Sequence, residues 1–208
     1  MNKVWLRGTV TGTPYRKARD GEDYVYFSLF VKGAVPVPLA ISERCSDPEY
    51  GNMIRCSARR DTALKLWDII EEKMYINEIK GSIWTNGRNS LIINAEEIDL
   101  TDATTEERDY EPLNRALLAG YVSYEGYCND LNGDTFEKKF QMVEDHGKKG
   151  INVKCYEEAA ENAHIYLVKG KFVNVEGPIN TWPTRKRNNY GYPVRDYAVI
   201  ATKLKYKK

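Results

Sequence analysis

The first half of the chain, residues 1–100, contains short runs in which apolar and polar residues alternate, the pattern of half-buried β-strands. These runs predict strands at 6–10, 24–31, 54–56, 76–81 and 91–95, and a helix at about 62–72 that places Leu64, Trp67 and Ile70 on one face. The alternation also predicts the core side chains of the first two strands, which are Leu6, Gly8, Val10, Val25, Phe27, Leu29 and Val31. The first half is therefore predicted to have five strands, with one helix between the third and the fourth.

The second half, residues 113–208, repeats this layout. Its predicted strands are 118–122, 136–143, 153–155, 172–177 and 197–201, and its helix, at about 157–167, carries Ala159, Ala160, Ala163 and Leu167. Three landmarks recur in order: a glycine within the first strand (Gly8, Gly120), a cysteine ending the third (Cys56, Cys155) and a glycine ending the fourth (Gly81, Gly177). The chain therefore contains an internal repeat of two similar halves.

Three strands, a helix and two further strands are the element order of the OB-fold, a five-stranded Greek-key barrel. We therefore predict a mainly β protein with two tandem OB-folds, each with a helix between strands 3 and 4. The domains are predicted at 1–100 and 113–208, joined by a polar, acidic linker at 101–112 that ends on Pro112. The alternative is an unrelated all-β barrel that carries one helix.

Charge is balanced over the chain but not along it. The net charge is +1, whereas residues 182–208 contain eight basic residues and one acid, Asp196. No apolar stretch approaches the roughly 20 residues of a membrane span, and the N-terminus lacks the apolar core of a signal peptide, so a cytoplasmic protein is expected. The four cysteines form no CxxC pair and the two histidines are isolated, so neither a metal nor another cofactor is expected.

The second half resembles the bacterial single-stranded DNA-binding protein family over about residues 117–206. The resemblance is carried by the segment from Val153 through the Ala-Glu-Asn-Ala helix (160–163) and the Lys-Gly turn (169–170) to the Val-Glu-Gly strand end (175–177). It places Tyr156 on an aromatic position that stacks on a base in that family, and Trp182 near, though out of register with, a family tryptophan. Another family tryptophan, before the third strand, is replaced here by 148–150, Lys-Lys-Gly.

The same resemblance implies a function. It suggests binding of single-stranded DNA with little sequence preference, in replication, recombination or repair, with an origin in a phage or mobile element as one possibility. Family members with tandem OB domains dimerise, so a homodimer with four OB-folds is expected. The sequence ends at 205–208 without the acidic tip through which bacterial members recruit partners, so no recruitment through such a tip is expected.

Single-strand binding needs a basic groove and aromatic side chains on which bases stack. OB-folds use the face of strands 2 and 3 and the loops between strands 1 and 2 and between strands 4 and 5. In the first half the candidates are Trp5, Arg7, Arg16, Lys17, Arg19, Tyr24, Tyr26, Arg55, Trp84 and Arg88. In the second half they are Tyr121, Lys154, Tyr156, Trp182, Arg185, Lys186, Arg187, Tyr190 and Tyr192.

Other interpretations of these residues stay open. Trp182, Tyr190 and Tyr192 also suit a hairpin that covers its own barrel or contacts another subunit, and Tyr24 and Tyr26 suit an interface strand. The lysines of 203–208 are expected to be a solvated terminus. No Walker-type loop, Ser-His-Asp set or His-Glu metal spacing occurs, so an enzyme is not expected. The main alternative function is an OB-fold adaptor that binds protein or RNA in a replication or conjugation complex.

Overall fold

The computed structural model describes residues 1–32, 52–85, 91–100, 113–130, 136–144, 149–187 and 193–206. The first half contains β1 (Asn2–Arg19), β2 (Glu22–Val31), β3 (Asn52–Arg59), α1 (Arg60–Trp67), β4 (Tyr75–Thr85) and β5 (Leu91–Asp99). The second half contains β6 (Asn114–Asp130), β7 (Phe136–Val143), β8 (Ile151–Tyr156), α2 (Glu157–Tyr166), β9 (Phe172–Gly177), β10 (Ile179–Arg187), β11 (Pro193–Ile200) and β12 (Lys203–Tyr206). The predicted linker, 101–112, lies outside the described residues.

The five strands of the first half close into a barrel. β1 pairs with β2 and β4, β2 with β3, and β4 with β5, all antiparallel, and a parallel pairing of β3 with β5 completes the ring. This is the strand order of an OB-fold. The predicted core residues of β1 and β2 are all buried, as the alternation required.

The strand pairings of the second half follow the same order. β6 pairs with β7 and β9, β7 with β8, and β8 runs parallel to β11. The fourth and fifth strands are each divided, so that β9 pairs with β12 while β10 pairs with β11. Residues 203–206 of the C-terminal lysine segment form strand β12, in which Lys203 and Lys205 are exposed to solvent as predicted.

Equivalent residues of the two halves make equivalent contacts. The Asn2 side chain bonds the main-chain N–H and carbonyl of Ile83, and Asn114 bonds those of Ile179, at 2.8–2.9 Å. Gly8 and Gly120 each lie against a carbonyl oxygen of the neighbouring strand, of Phe30 and Val143 respectively, in a position that a Cβ atom would overlap. Glycine at these two positions is therefore required by close strand approach.

The turn after each helix is also repeated. The N–H of Lys73 donates to the carbonyl of Val10, and the N–H of Gly170 donates to that of Val122. Both residues have positive φ, 69° at Lys73 and 85° at Gly170. The same left-handed turn is therefore made by a lysine in one half and by a glycine in the other.

The two halves join through their first strands. β1 and β6 pair antiparallel, with Asn2 opposite Leu118, Val4 opposite Ala116 and Leu6 opposite Asn114. Because Asn2 is equivalent to Asn114 and Leu6 to Leu118, this register is symmetric about the Val4–Ala116 pair. The strands therefore meet as in a two-fold dimer interface, within one chain.

The predicted helix face is confirmed in the second half and wrong in the first half. In α2, Ala160 and Ala163 are buried, as is Leu167 just after it. In α1 the buried residues are Ala63 and Leu66, whereas Leu64 and Trp67 are 47% and 37% exposed. Ile70 is buried, but it lies beyond the helix end at Trp67, so the helix period does not apply to it.

Candidate nucleic-acid interface

Three tyrosines stack on the outer face of the first barrel. Tyr15 of β1 and Tyr26 of β2 are cross-strand partners, and their ring centroids are 5.1 Å apart with the planes 18° from parallel. Tyr24 stacks on Tyr26 from two residues away along β2, at 6.0 Å and 17°. We call these three residues the tyrosine stack. Tyr24 and Tyr26 alternate with the buried Val25 and Phe27, and Tyr15 is the cross-strand partner of Tyr26, so all three rings lie on the outside.

Cationic side chains surround the tyrosine stack on the same face. Lys17 is the cross-strand partner of Tyr24, and Arg19 follows it toward the hairpin end. Arg55 of β3 is the cross-strand partner of Ser28 of β2, and Ser28 is the next residue after Tyr26 on this face. Lys17 and Arg55 form no ion pair with any residue that the structure describes. The face thus combines aromatic rings with available positive charge.

A cleft opens next to the tyrosine stack. Its volume is about 320 Å³, and its lining includes Thr11, Gly12, Thr13, Tyr15, Tyr26, Ser28 and Arg55. The β1–β2 register shifts between Thr11 and Tyr15, so β1 bulges away from β2 at this point. The cleft therefore lies where an irregular strand leaves space beside an aromatic surface.

Arg16 does not belong to this face. It is the cross-strand partner of the buried Val25, so its side chain leaves β1 on the side opposite Tyr15. Its guanidinium donates two hydrogen bonds to the carboxylate of Asp23, at 2.8 and 3.0 Å. These bonds hold the pKa of Asp23 below its ordinary value. Arg16 is thus engaged in the hairpin itself.

Trp5 and Arg7 also lie apart from the tyrosine stack. Trp5 is opposite Lys80 of β4 and Arg115 of β6, and the Arg115 guanidinium carbon is 5.8 Å from the centre of its ring. The Arg7 Nε donates to the carbonyl of Asn77 at 2.8 Å. Tyr15, which marks the tyrosine stack on β1, is ten residues further along that strand. Trp5 and Arg7 are therefore not beside Tyr24, Tyr26 and Arg55 as predicted.

Trp84 lines a different cleft, where the two halves meet. This cleft has a volume of about 570 Å³ and is bordered by Asn2 and Ser82 from the first half and by Glu144 and Lys149 from the second. Trp84 is exposed at the end of β4. The hairpin beyond it, with Arg88, lies outside the described residues.

In the second half, Lys154 is already engaged. Its Nζ is 2.8 Å from the Glu137 carboxylate and 4.9 Å from the centre of the Trp182 ring. Glu137 is buried, and Trp182 is half-buried. A cation covered by a ring and neutralised by a carboxylate contributes less to a phosphate site than an unpaired one.

The other second-half candidates are spread over the surface. Tyr156 is half-buried opposite Glu137 at the start of β7, whereas Tyr121 lies opposite Val143 at the other end and packs edge-on against Phe172 at 5.3 Å. Lys186 and Arg187 are exposed near the end of β10. Tyr190, Tyr192 and the side chain of Arg185 lie outside the described part of the chain.

Three exposed tyrosines were not among the candidates. Tyr15 lies in β1, and Tyr124 and Tyr127 lie in β6. The register of β6 shifts between Val122 and Tyr124 and again between Tyr124 and Tyr127. These shifts hide the two-residue period, so only the spacing of Tyr121, Tyr124 and Tyr127 could have drawn attention to them.

Other chemistry receives little support from the described residues. Within them, no group of three or more His, Cys, Asp or Glu side chains could hold a metal ion, and no helix is long and apolar enough to cross a membrane. Cys56 and Cys155 are free and buried, and burial raises the pKa of the Cys155 thiol to about 12. A thiol with so high a pKa is a poor nucleophile near neutral pH.

Solved structures of known proteins share the fold of this chain. No protein-family model matches the chain, and no curated protein sequence matches it significantly. Two solved structures of the single-stranded DNA-binding protein from Thermus aquaticus match all of the chain. A deletion mutant of that protein has a TM-score of 0.74 and 19% identity over 95% of its length, and the wild-type protein has 0.73 and 18% over 93%. The resemblance to the single-stranded DNA-binding family is thus confirmed for the fold.

Proposed function

We propose that this protein binds single-stranded DNA with little sequence preference through two tandem OB-folds, at 1–100 and 113–208. The observation that carries the proposal is the tyrosine stack on the outer face of strands 1 and 2, beside Lys17 and Arg55, which form no ion pair with the residues that the structure describes. Rings on which bases stack and cations that track phosphates are the two components of such a site. A structural role does not require both on one solvent-facing surface.

The second OB-fold of this proposal is supported by the equivalent pairings of β6 to β12 and by the repeated asparagine and glycine contacts. Full-length similarity to a protein named for single-stranded DNA binding supports the same function. We further propose that the protein coats single strands in replication, recombination or repair, and that two copies associate to bring four OB-folds together. Neither catalysis nor a cofactor is part of the proposal.

The test is a titration with poly(dT), followed by the intrinsic fluorescence of tryptophan and tyrosine, at low and high salt. We expect strong quenching by the single strand, weak quenching by duplex DNA, and an affinity that falls steeply as salt rises, because bound phosphates release counterions. Poly(rU) in the same assay compares RNA with DNA.

The adaptor alternative predicts a different result. An apolar protein interface lacks the steep salt dependence of phosphate binding. If neither single-stranded DNA nor RNA changes the fluorescence or the migration of a labelled oligonucleotide, the binding proposal is wrong and a protein partner becomes the better hypothesis.

A further inference from the structure

We infer that the cleft between the β1 bulge and Arg55 is a nucleotide subsite, in which one base stacks on Tyr15 and the adjoining phosphate pairs with Arg55. The inference rests on the proposed single-strand binding and specifies where the first half would make it. At about 320 Å³ the cleft is at the lower end of the range of ligand pockets, ~300–1,000 Å³. That size suits one nucleotide of a longer strand.

Tyr15 is the ring best placed to receive a base. Tyr26 stacks with both Tyr15 and Tyr24, which uses much of its ring surface, and it is half-buried. Centroid separations of 5.1 and 6.0 Å leave no room for a base between these rings. Tyr15, at the end of the row and 57% exposed, keeps a free surface toward the cleft. Tyr26 and Tyr24 are therefore positioning residues that hold Tyr15 in place.

Arg55 supplies the charge. It is exposed, lines the cleft, and forms no ion pair with the described part of the chain. Its fork of N–H donors fits a phosphate group. The hydroxyl groups of Thr13 and Ser28 border the same space and offer hydrogen bonds that every base can use. A site of this kind binds a nucleotide without selecting its base.

The corresponding place in the second half differs in part. Gly8 lies against Phe30 and Gly120 against Val143, so Phe30 and Val143 are equivalent and Tyr26 corresponds to Lys139. By the same register, Tyr15 corresponds to Tyr127, Arg55 to Asn152, and Cys56 to Val153 rather than to Cys155 as the sequence predicted. An exposed tyrosine therefore recurs in the second half, whereas the stacked row and the arginine belong to the first half.

The experiment measures binding of a fluorescein-labelled oligo(dT) of about eight nucleotides, a length within the site size of one OB-fold. Tyr15→Ala is expected to weaken binding about 5- to 150-fold, the loss of one base–aromatic stack, whereas Tyr15→Phe retains the ring and most of the affinity. Arg55→Ala is expected to weaken binding and to reduce the slope of log K against log salt by about 0.7, one phosphate contact on a single strand.

A charge control, a folding control and a crosslinking experiment accompany these affinity measurements. Lys65→Ala removes one exposed positive charge from α1, outside the cleft, and is expected to leave the slope unchanged. Thermal unfolding of each variant identifies any that fails to fold, in which case Tyr15→Leu and Arg55→Gln, which keep much of the side-chain bulk without the ring or the charge, replace the alanine variants. A 5-iododeoxyuridine oligonucleotide, crosslinked by light, is expected to label the tryptic peptide that contains Tyr15.

The outcomes are distinct. If the wild-type protein binds no oligo(dT), the proposed function itself fails. If the wild type binds but folded Tyr15→Ala and Arg55→Ala keep its affinity and slope, and crosslinks map only to the second half, the subsite is wrong while the proposed function stands.

Discussion

At equivalent positions of β2 and β7, the first half carries Tyr24 and the second half carries Glu137. Glu137 takes Lys154 into an ion pair beneath Trp182, whereas the residue of the first half that corresponds to Lys154 is Ser57. Tyr24 instead extends an aromatic row on the outer face. Substitutions at two equivalent positions of the barrel thus separate an aromatic surface from a closed polar cluster.

The prediction with the largest expected effect concerns the first-strand glycine that the two halves share. Gly8→Ala and Gly120→Ala each force a Cβ against a backbone carbonyl that cannot move away without breaking strand pairing. We expect each to lower the free energy of unfolding by about 3 kcal/mol or more. Urea denaturation measures the effect, with Ala18→Ser on exposed β1 as the near-neutral control. A large loss for one glycine and none for the other would contradict the structural equivalence of the halves.

The next test concerns where they differ. Glu137→Ala leaves Lys154 largely buried without its carboxylate, and we expect a loss of about 3 kcal/mol, because an unpaired buried charge is costly. Glu137→Gln, which keeps a hydrogen-bond acceptor, is expected to lose less. Chemical denaturation of both variants checks the order, and a Glu137→Ala protein as stable as the wild type would mean that the ion pair is not important for folding.

The prediction with the smallest expected effect on stability concerns the turn after each helix. Lys73 holds φ = 69°, which L-residues rarely adopt, and the equivalent residue is Gly170. We expect Lys73→Gly to stabilise the protein by about 0.5–1 kcal/mol, and Gly170→Ala to destabilise it by a similar amount. Differential scanning calorimetry of the two variants gives the signs, and a destabilised Lys73→Gly would show that the lysine side chain contributes more than its strain costs.

Much of the fold follows from the two-residue period and the repeat. A strand of uniform alternation, such as 24–31, is predicted within two residues of its ends, because burial of one face fixes its register. The helix face in the first half is not predicted, because α1 ends at Trp67 and its short buried stripe is Ala63 and Leu66. The large apolar side chains Leu64 and Trp67 indicated the wrong face, because both are exposed.

The candidate site is predicted less well than the fold. Alternation correctly assigns Trp5, Tyr26 and Arg55 to the outside, but an outward position does not say which part of a closed barrel a residue occupies. Trp5 faces β4 and β6 while Tyr26 faces β3, and that difference depends on pairings between distant segments. Likewise, no local pattern shows that Glu137 will reach Lys154, since the contact depends on strand register.

The symmetric pairing of β1 with β6 has a consequence for divergence. In an association of two identical chains, any substitution appears on both sides of the interface at once. Here the two partners are separate segments of one chain, so a carboxylate can arise in one copy of the repeat while the other keeps its tyrosine. Dilution cannot separate the two copies either, since the connection keeps their effective concentration high. Each surface is thus free to specialise while the shared strand pair stays intact.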